Sequence, residues 1–411
     1  MANLVPTSDL VTKASLYGYK QFLNFVANIT NRYDSTFKNR EWTAGDTVRV
    51  PLPTLWTVSE GSAFQEQAIT QTTVPMTVDK QFHVDMAFST MEEALDIRET
   101  RENFINPQMQ ALAGKVDAYC YENCVLDVFN IVGTPGTTPT SPLTFLQAGV
   151  KMTHQGAGPG MRVAALHPLS MATLSVASAT YFSPSGAIGE QYRSGKQSDN
   201  TVGVSKWLEE SNVFAYTTGT FTASTPLVNG ASQTGSSLIT DGWASGASSL
   251  KKGDTFTVGG VYTVNPVTKV NTGQLQDFVV TADISDTTGD MTIAISPSII
   301  TSGQLQNVSA APANNAVITV RGATAAAGGT LAATLTPQNL IFLKDFATWV
   351  TVDLAKPAGG AEVGRISSPD LAVAMRLVKQ YSALTDKNMT RVDVAGGSKT
   401  LQARLAARIA A

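Results

Sequence analysis

The sequence contains little charge, and the shortage argues against several kinds of protein. Charged residues make up 15% of the 411 residues, with 29 basic and 32 acidic side chains and a formal net charge of -3. This near balance gives no broad positive field, which argues against a dedicated nucleic-acid binder. Soluble monomers usually carry more surface charge, so the shortage favours a subunit that covers much of its surface with copies of itself.

Cysteine and long apolar runs are also scarce. Cys120 and Cys124 are the only cysteines, which excludes a disulfide framework. They stand four residues apart on a predicted helix, where a disulfide has poor geometry, so we expect two buried thiols. No run of eighteen apolar residues occurs and no secretory h-region opens the sequence. We therefore expect folding in a reducing cytoplasm and no membrane span.

No group of residues in the sequence points to catalysis or to a bound metal. His83, His154 and His167 fall in separate predicted elements, without carboxylates or cysteines at metal-ligand spacing. Neither a GxSxG nucleophile elbow nor a Walker-type phosphate loop occurs. The expectation is a protein that is not an enzyme and has no catalytic residue, cofactor or metal site.

Two long helices are predicted in the first third of the chain. Residues 8–31 have an amphipathic pattern with Ser8 as a cap, which fits either an ordinary packing helix or an arm on a neighbouring subunit. Residues 107–132, with Pro107 in the first turn, predict a helix of about seven turns. Between them, residues 45–80 are too poor in Leu and Ile to build their own core, so a long hairpin that leans on another element is expected.

The middle of the chain alternates helices and strands. Ser141 is expected to cap a helix that stops at Gly156, a strand MRVAALH follows, and another helix opens at Pro168. A further short helix is predicted around residues 188–193. The alternation over residues 140–220 is typical of a compact α+β domain.

The composition changes near residue 223. Residues 223–337 contain only four basic side chains, and Ser, Thr, Gly, Ala and Asn dominate. Short strands such as TFTVGGVYTV, DFVVTAD, MTIAIS and AVITVRG, with a turn at LKKGD, predict a small all-β domain; disorder is the alternative. After Pro337 the composition again resembles that before residue 223, with a final strand pair expected to flank a turn at Gly396-Gly397. These late strands have no partners of their own, so they must join the sheet built before the insertion.

Four segments carry a resemblance to a known family by their order and spacing. They are GDTVRVPLPTLW, ALDIRETRENFINPQMQALAGKVDAYCYENC, LKKGDTFTVGGVYTVNPVT and AGGSKTLQARLAARI. Together they resemble the major capsid proteins of tailed double-stranded-DNA phages with the Hong Kong-type capsid fold, in particular the short-tailed lineage with an inserted I-domain. The similarity covers nearly the whole chain.

The resemblance implies an α+β Hong Kong-type capsid fold with an inserted β barrel or sandwich. Its parts would be an N-terminal arm at residues 1–42, an extended loop at 43–80, a peripheral and axial core at 81–222 and 338–411, and the inserted β domain at 223–337. Residues 97–132 would form the spine helix of the peripheral domain. No Lys-Asn cross-linking pair is identified, so non-covalent assembly is expected.

The implied function is self-assembly into an icosahedral shell around phage double-stranded DNA. The implied partners are copies of the chain in hexamers and pentamers, a scaffolding protein, a portal, and DNA through non-specific contacts, with no membrane. The implied place is the virion, after assembly in the host cytoplasm. Another self-assembling virion or surface-layer protein, a β-rich tail or binding protein, and an enzyme with a β accessory domain are the alternatives.

Two sets of site residues follow from this hypothesis. Trp42, Leu55, Trp56 and Phe64 are expected to bury against a neighbouring subunit, although the tryptophans could instead pack within their own hairpin. Basic side chains that could face the DNA form the second set: Lys38, Arg40, Arg98, Arg101 and Lys115.

Overall fold

The computed structural model describes most of the chain. The described residues are 8–30, 47–89, 105–178, 194–357, 361–368, 373–384 and 387–411, except for residues 59, 63, 65, 69–70 and 287. The predicted short helix at 188–193 lies outside them. The chain divides into two compact units, the first comprising Met1–Val50, Thr73–Tyr121 and Ala347–Lys399 and the second Pro51–Thr72, Glu122–Phe346 and Thr400–Ala411.

The described residues form both helices and strands. The helices are α1 (Ser8–Phe22), α2 (Asn106–Val125), α3 (Pro142–His154) and α4 (Pro168–Ser178), with 3-10 helices at Val26–Asn28, Lys344–Phe346 and Ala403–Leu405. The strands before and at the start of the insertion are β1 (Thr47–Pro51), β2 (Thr73–Thr77), β3 (Lys80–Ser89), β4 (Ile131–Val132), β5 (Val163–Leu166), β6 (Lys206–Glu209), β7 (Ala215–Thr217) and β8 (Phe221–Ser224). Those that follow within the insertion are β9 (Leu227–Val228), β10 (Gly235–Asp241), β11 (Ser249–Leu250), β12 (Thr255–Val264), β13 (Asn271–Val280), β14 (Ile284–Ser285), β15 (Met291–Ile299), β16 (Ile318–Val320) and β17 (Gly329–Leu331). The last strands are β18 (Leu335–Phe342), β19 (Ala347–Val352), β20 (Glu362–Ser368), β21 (Val373–Ser382), β22 (Lys387–Thr400) and β23 (Ala406–Ala410).

The first unit is built on a sheet in the order β19-β22-β21-β20, with β3 also paired to β22. Val392 in β22 lies opposite Leu377 of β21 on one side and opposite Val84 of β3 on the other. The late strand β22 therefore joins a strand that precedes the insertion, as the sequence predicts. Helix α1 packs on β20 and β21, so within this unit it behaves as an ordinary packing helix.

Helix α1 is shorter than predicted, because a buried carboxylate ends the helical region. α1 stops at Phe22 rather than running to residue 31. Asp117, on α2, accepts hydrogen bonds from the backbone N–H groups of Asn24 at 2.7 Å, Phe25 at 3.3 Å and Val26 at 3.0 Å. These N–H groups are satisfied by a side chain from another element, so the chain can leave the helix there without unpaired donors.

The expected turn at Gly396-Gly397 is wrong, because both glycines lie inside the long strand β22. A Cβ on Gly396 would stand 2.4 Å from Cζ2 of Trp349, and a Cβ on Gly397 would stand 2.2 Å from the carbonyl oxygen of Thr77. The two glycines therefore permit close approach of neighbouring groups rather than a reversal of the chain.

The second unit holds a mixed sheet in the order β4-β23-β18-β5-β6, with β7 also paired to β18. Ile341 of β18 lies opposite Ala407 of β23 on one side and Ala164 of β5 on the other. Strands from before and after the insertion thus join in one sheet, with β18 and β23 lying between β5 and β4. Helices α3 and α4 cover one face of this sheet, and their buried residues share a core with Ile341, Ala407 and Ile409.

Helix α2 also ends before the predicted residue 132. It stops at Val125, and the N–H of Val128 closes a turn on the carbonyl of Val125. Ile131 then pairs in parallel with Arg408 of β23, and the Asn130 side chain donates to the carbonyl of Ala406 at 2.9 Å. Pairing in the sheet therefore overrides the helical pattern of this apolar segment. The cap of α3 is as predicted, since Ser141 Oγ accepts from the N–H of Leu143 at 3.2 Å.

The insertion is an all-β structure with its own core, as the fold prediction required. Its main sheet runs β16-β12-β13-β15-β10-β9, and the pairs β11–β14 and β8–β17 complete it. A cluster of buried apolar side chains that extends from Phe221 to Leu331 fills its interior. The α+β fold class with an inserted β domain is therefore confirmed. No helix among the described residues is long and apolar enough to cross a membrane.

Candidate functional site

The loop at residues 51–72 is held together by hydrogen bonds at its base and along its length. At the base, the N–H of Leu52 donates to the carbonyl of Thr72 at 2.9 Å. Further out, the Gln67 amide joins Thr57 three times: its Oε1 accepts from the Thr57 N–H and hydroxyl, and its Nε2 donates to the Thr57 carbonyl at 2.6 Å. The loop is thus a defined excursion of the chain.

The loop places two large aromatic side chains in solvent. Phe64 is 91% exposed and Trp56 is 51% exposed, whereas Leu55 is half-buried. Trp42, the fourth residue predicted to meet a neighbour, lies outside the described residues. Burial of Leu55, Trp56 and Phe64 against a second subunit stays a prediction. The aromatic rings of Trp56 and Phe64 are exposed and are therefore accessible to such a neighbour.

The residues predicted to face DNA are mostly outside the described part of the chain. Lys115 is exposed on α2. Lys38, Arg40, Arg98 and Arg101 lie outside the described residues. Contact with DNA stays a prediction for all five.

The inserted domain meets the sheet of its unit through an ion cluster that the sequence did not suggest. The carboxylate of Asp277, in β13, forms an ion pair and a hydrogen bond with the Lys151 ammonium on α3. Arg321 of the insert stands 3.8 Å from the other carboxylate oxygen. The Lys151 ammonium also donates to the carbonyl of Ile131 at 2.9 Å, and the Ile131 N–H points to Asp277 at 3.4 Å. One carboxylate therefore joins a helix, a strand end and the insert.

Because the ion cluster is largely buried, the charge of Lys151 depends on the charge of Asp277. Desolvation by burial lowers the pKa of Lys151. The charge of Asp277 and its hydrogen bond to Lys151 oppose this shift, whereas the positive charge of Arg321 lowers the pKa of Lys151 further. Only 4% of the Asp277 side chain and 21% of the Lys151 side chain are exposed. A buried charge without its partner is strongly unfavourable, so the Lys151 ammonium depends on Asp277.

A second, uncharged contact lies beside the ion cluster. The Gln155 amide donates to Gln276 Oε1 at 2.9 Å, and the same oxygen accepts from the Thr263 hydroxyl at 2.9 Å. Gln155 and Gln276 are both buried. The Gln155–Gln276 hydrogen bond thus joins two buried polar side chains across the junction, which fixes the register of the insert on α3.

The turn in the motif LKKGD docks on the opposite face of the sheet. Arg408, fully buried in β23, donates from Nη2 to the carbonyl of Gly253 at 2.9 Å. Burial lowers the pKa of Arg408 to about 10, partly offset by Tyr216 and Asp254, so the guanidinium stays charged at neutral pH. The sequence flagged this segment as a turn into a strand, and the structure shows that the turn also attaches the insert.

Asp254 holds this turn in shape. Its carboxylate accepts hydrogen bonds from the backbone N–H groups of Lys251 at 2.8 Å and Gly219 at 3.0 Å. Burial raises the pKa of Asp254, although these hydrogen bonds, Tyr216 and Arg408 oppose the rise. Burial likewise raises the pKa of Tyr216, so its phenol keeps its proton. The Asp254 carboxylate therefore positions the backbone at Gly219 and Lys251.

Within the ranges given above, no group of three or more His, Cys, Asp or Glu side chains could hold a metal ion. Cys120 and Cys124 are buried thiols, as predicted. His83 pairs with Asp85 at 3.1 Å on the surface of β3.

Sequence reasoning missed Lys151, Asp277 and Arg408, yet each carried a weak signal. Lys151 is the only Lys, Arg, Asp or Glu in the segment that forms α3, Asp277 precedes the apolar run FVV, and Arg408 interrupts the small apolar run LAARIAA. An isolated charge inside an apolar run is either exposed or paired when buried. The sequence does not say which, because the partners lie in distant segments.

The family model for the P22 coat protein, gene protein 5, matches residues 123–406 of this chain. The match spans well over half of the 411 residues and includes the whole insertion. It also includes every strand in the sheet of the second unit except β23, of which it reaches only Ala406. No curated protein matches the chain significantly.

Solved phage structures resemble the chain at low identity. A structure titled for Mycobacterium phage Che8 covers 94% of this chain and 90% of its own, at 11% identity and a TM-score of 0.44. The capsid of Ralstonia phage GP4 covers 94% of this chain and 87% of its own, at 9% identity and a TM-score of 0.43. The CUS-3 coat protein I-domain covers 25% of this chain and 97% of its own, at 31% identity and a TM-score of 0.20. The family match alone carries the assignment.

Proposed function

The chain belongs to the P22 coat protein family, and from that premise we propose how this major capsid protein joins its neighbours in the phage shell that it forms. The 51–72 loop reaches a neighbouring copy and buries Trp56 and Phe64 there. The observation that carries this proposal is a loop fixed by the Thr57–Gln67 hydrogen bonds that nevertheless leaves Phe64 91% exposed. Exposed aromatic side chains on an ordered segment are typical anchors of protein interfaces.

We propose that the inserted domain, residues 223–337, stabilises the capsid core and does not serve as a receptor-binding module. The Lys151–Asp277 pair, the Gln155–Gln276 hydrogen bond and the Arg408–Gly253 hydrogen bond support this role. They attach the insert to α3 and β23 at buried positions, where each contact fixes its orientation. The other boundaries, namely an arm at 1–42, an extended loop at 43–80 and a core at 81–222 and 338–411, remain part of the proposal.

The partners of the shell belong to the same proposal. Copies of the chain would form hexamers and pentamers with a scaffolding protein and a portal in the host cytoplasm, and the shell would enclose double-stranded DNA. Lys115, exposed on α2, would contribute a non-specific phosphate contact. The near-neutral charge of the chain fits a lining that holds DNA weakly.

The loop proposal is tested by assembly of point variants. We expect wild-type protein, alone or with the scaffolding protein of its phage, to give uniform icosahedral shells in negative-stain electron microscopy. Phe64→Ala and Trp56→Ala should lower the shell yield at least tenfold, with unchanged circular dichroism of the subunit. Val58→Ala is the matched control, because Val58 lies in the same loop, is 84% exposed and should assemble normally. Wild-type yield of the Phe64 variant would refute the loop contact, and a monomer under all conditions would refute the shell.

The role of the insert is tested by deleting residues 223–337. The remaining chain should keep its fold type, because β18 and β23 still pair with β5 and β4. It should refold in lower yield, since Arg408 and Lys151 lose their partners. Wild-type refolding yield together with wild-type particle size would contradict a stabilising role.

A further inference from the structure

Helix α3 is apolar on two opposite faces. Its buried face consists of Phe145, Ala148 and Met152, which enter the core of the second unit. On the outer face, Leu143 is 58% exposed, Leu146 45% and Val150 44%. Gln147 and Thr153 are also exposed beside these side chains, and neither carries a charge. A surface helix normally carries mainly polar residues opposite its core face, so a row of large apolar side chains there is typical of a helix that is covered on both sides.

Helix α4, which contacts α3, repeats the pattern. Its buried residues Met171 and Leu174 join the same core. Its outer positions follow the same spacing of three and then four residues: Leu169 is 56% exposed, Val176 is 76% exposed, and Ala172 between them is exposed. The segment from Pro168 to Ser178 contains no charged residue.

These outer residues lie on the free side of a layered structure. The two helices cover the face of the sheet that carries Ala407 and Ile409. Arg408, between them in β23, points to the other face, where it reaches Gly253 of the insert. The Gly253 turn of the insert therefore docks on the face of the sheet opposite to α3 and α4, whereas Asp277 and Gln276 of the insert reach the C-terminal part of α3. The outer side chains of the two helices remain accessible in the subunit.

The charges of the two helices restrict the partner. Lys151 is the only Lys, Arg, Asp or Glu in the two helical segments, and its ammonium is engaged by Asp277. A nucleic acid requires cations at its contact surface, and an acidic or basic peptide requires the opposite charge. Apolar, charge-poor surfaces are instead typical of contacts between identical subunits.

We infer that the helical outer face, formed by Leu143, Leu146, Val150, Leu169, Ala172 and Val176, is an interface with a second copy of this chain. The inference rests on the proposed function, because a shell brings many copies of the same surface together. A coat protein exposes this face as a free subunit and buries it on assembly, so the apolar surface contributes to the free energy of assembly. It adds a contact distinct from that of the 51–72 loop.

Photo-crosslinking tests which molecule covers this face. p-Benzoylphenylalanine is placed at Leu146, at Val176 or, as a control, at Val267, which is 61% exposed in the insert. Free subunits and assembled shells are irradiated, and cross-linked peptides are identified by mass spectrometry. We expect coat-to-coat cross-links from positions 146 and 176 in shells and none in free subunits. Shells in which these positions cross-link only to a scaffolding protein, or to nothing, would overturn the inference.

Charged variants give an independent readout. Leu146→Glu combined with Val176→Glu should leave the circular dichroism and the urea midpoint of the subunit unchanged and reduce shell yield at least tenfold. Val267→Glu should assemble as the wild type. Wild-type shell yield from the double variant would overturn the inference and leave the proposed function intact, whereas absence of wild-type shells would refute the proposed function itself. If the double variant fails to fold, the cross-linking result decides.

Discussion

The ammonium of Lys151 on α3 forms an ion pair with the carboxylate of Asp277 on β13, although 126 residues separate the two in the sequence. The pair attaches the inserted domain to the helix layer of the sheet into which it is inserted. Because both groups are largely buried, removal of Asp277 leaves the Lys151 ammonium without a counter-charge in a place that water reaches poorly. Removal of Lys151 leaves the Asp277 carboxylate with only the more distant Arg321, at 3.8 Å. The junction is therefore sensitive to single substitutions.

Asp277→Leu should lower the free energy of unfolding of the subunit by about 3–5 kcal/mol, because the Lys151 ammonium loses its partner. Replacing both residues, as Lys151→Met with Asp277→Leu, should restore much of the loss, since an apolar pair needs no counter-charge. Urea unfolding of the two single variants and the double variant gives a double-mutant cycle. Strictly additive losses would contradict direct coupling of the two side chains.

Gly253→Ala should weaken docking of the turn. The backbone of Gly253 has φ +105°, and a Cβ there would stand 2.7 Å from Cδ2 of Leu126 and 3.2 Å from Cε2 of Tyr216. Gly235→Ala is the matched control, because Gly235 has φ +95° with no atom within 4 Å of the added Cβ. The loss for Gly253→Ala should exceed that of the control by about 1–3 kcal/mol in urea unfolding, from overpacking alone. Equal losses would mean that backbone strain alone accounts for the effect.

Arg408→Lys should loosen the same turn by a different route. Lysine keeps the positive charge but lacks the planar guanidinium that reaches the Gly253 carbonyl, so the variant should lose about 1–3 kcal/mol. Hydrogen exchange should become faster at residues 251–256. Arg404→Lys provides the comparison, because Arg404 donates to the side chain of Gln402, two residues away. Unchanged exchange in the Arg408 variant would show that the bond does not hold the turn.

The first unit should lose stability in acid through Asp393. Burial would raise the pKa of Asp393, but hydrogen bonds from Arg391, Arg376 and Gln81 outweigh burial and hold the pKa below its ordinary 3.8. A carboxyl group whose pKa is depressed by folding contributes stability above about pH 4 that is lost as the pH falls through the folded-state pKa. Asp393→Asn should therefore destabilise the protein at pH 7, and its difference from the wild type should shrink below pH 4.

The control for Asp393 is Asp353→Asn, whose carboxylate pairs with Arg365 at 2.8 Å while 49% exposed. Exposed pairs contribute at most about 1 kcal/mol, so this variant should change the urea midpoint little at any pH. A pH-independent effect of Asp393→Asn would contradict the assignment of the acid sensitivity to this carboxylate.

Local patterns predicted those parts of the fold whose cause lies within a few residues. Ser141 followed by Pro142 gave the start of α3, and the β-branched run after Gly253 gave β12. The ends of α1 and α2 were predicted too late, because the side chain of Asp117 and the pairing of Ile131 with Arg408 terminate them from distant segments. The Gly396-Gly397 pair predicts a turn from sequence, because the sequence does not distinguish a glycine needed for close approach from a glycine needed for a chain reversal.

By itself the sequence determined the fold class, the family resemblance and the composition change that marks the insertion, because each is a property of order and local composition. It also required the late strands to return to the sheet begun before the insertion, since they lacked partners of their own. Only the tertiary structure decided that Lys151 meets Asp277, that Arg408 holds the Gly253 turn, and that the outer sides of α3 and α4 remain uncovered. Those relationships depend on which distant surfaces fold together, and burial turns an isolated charge into a fixed contact.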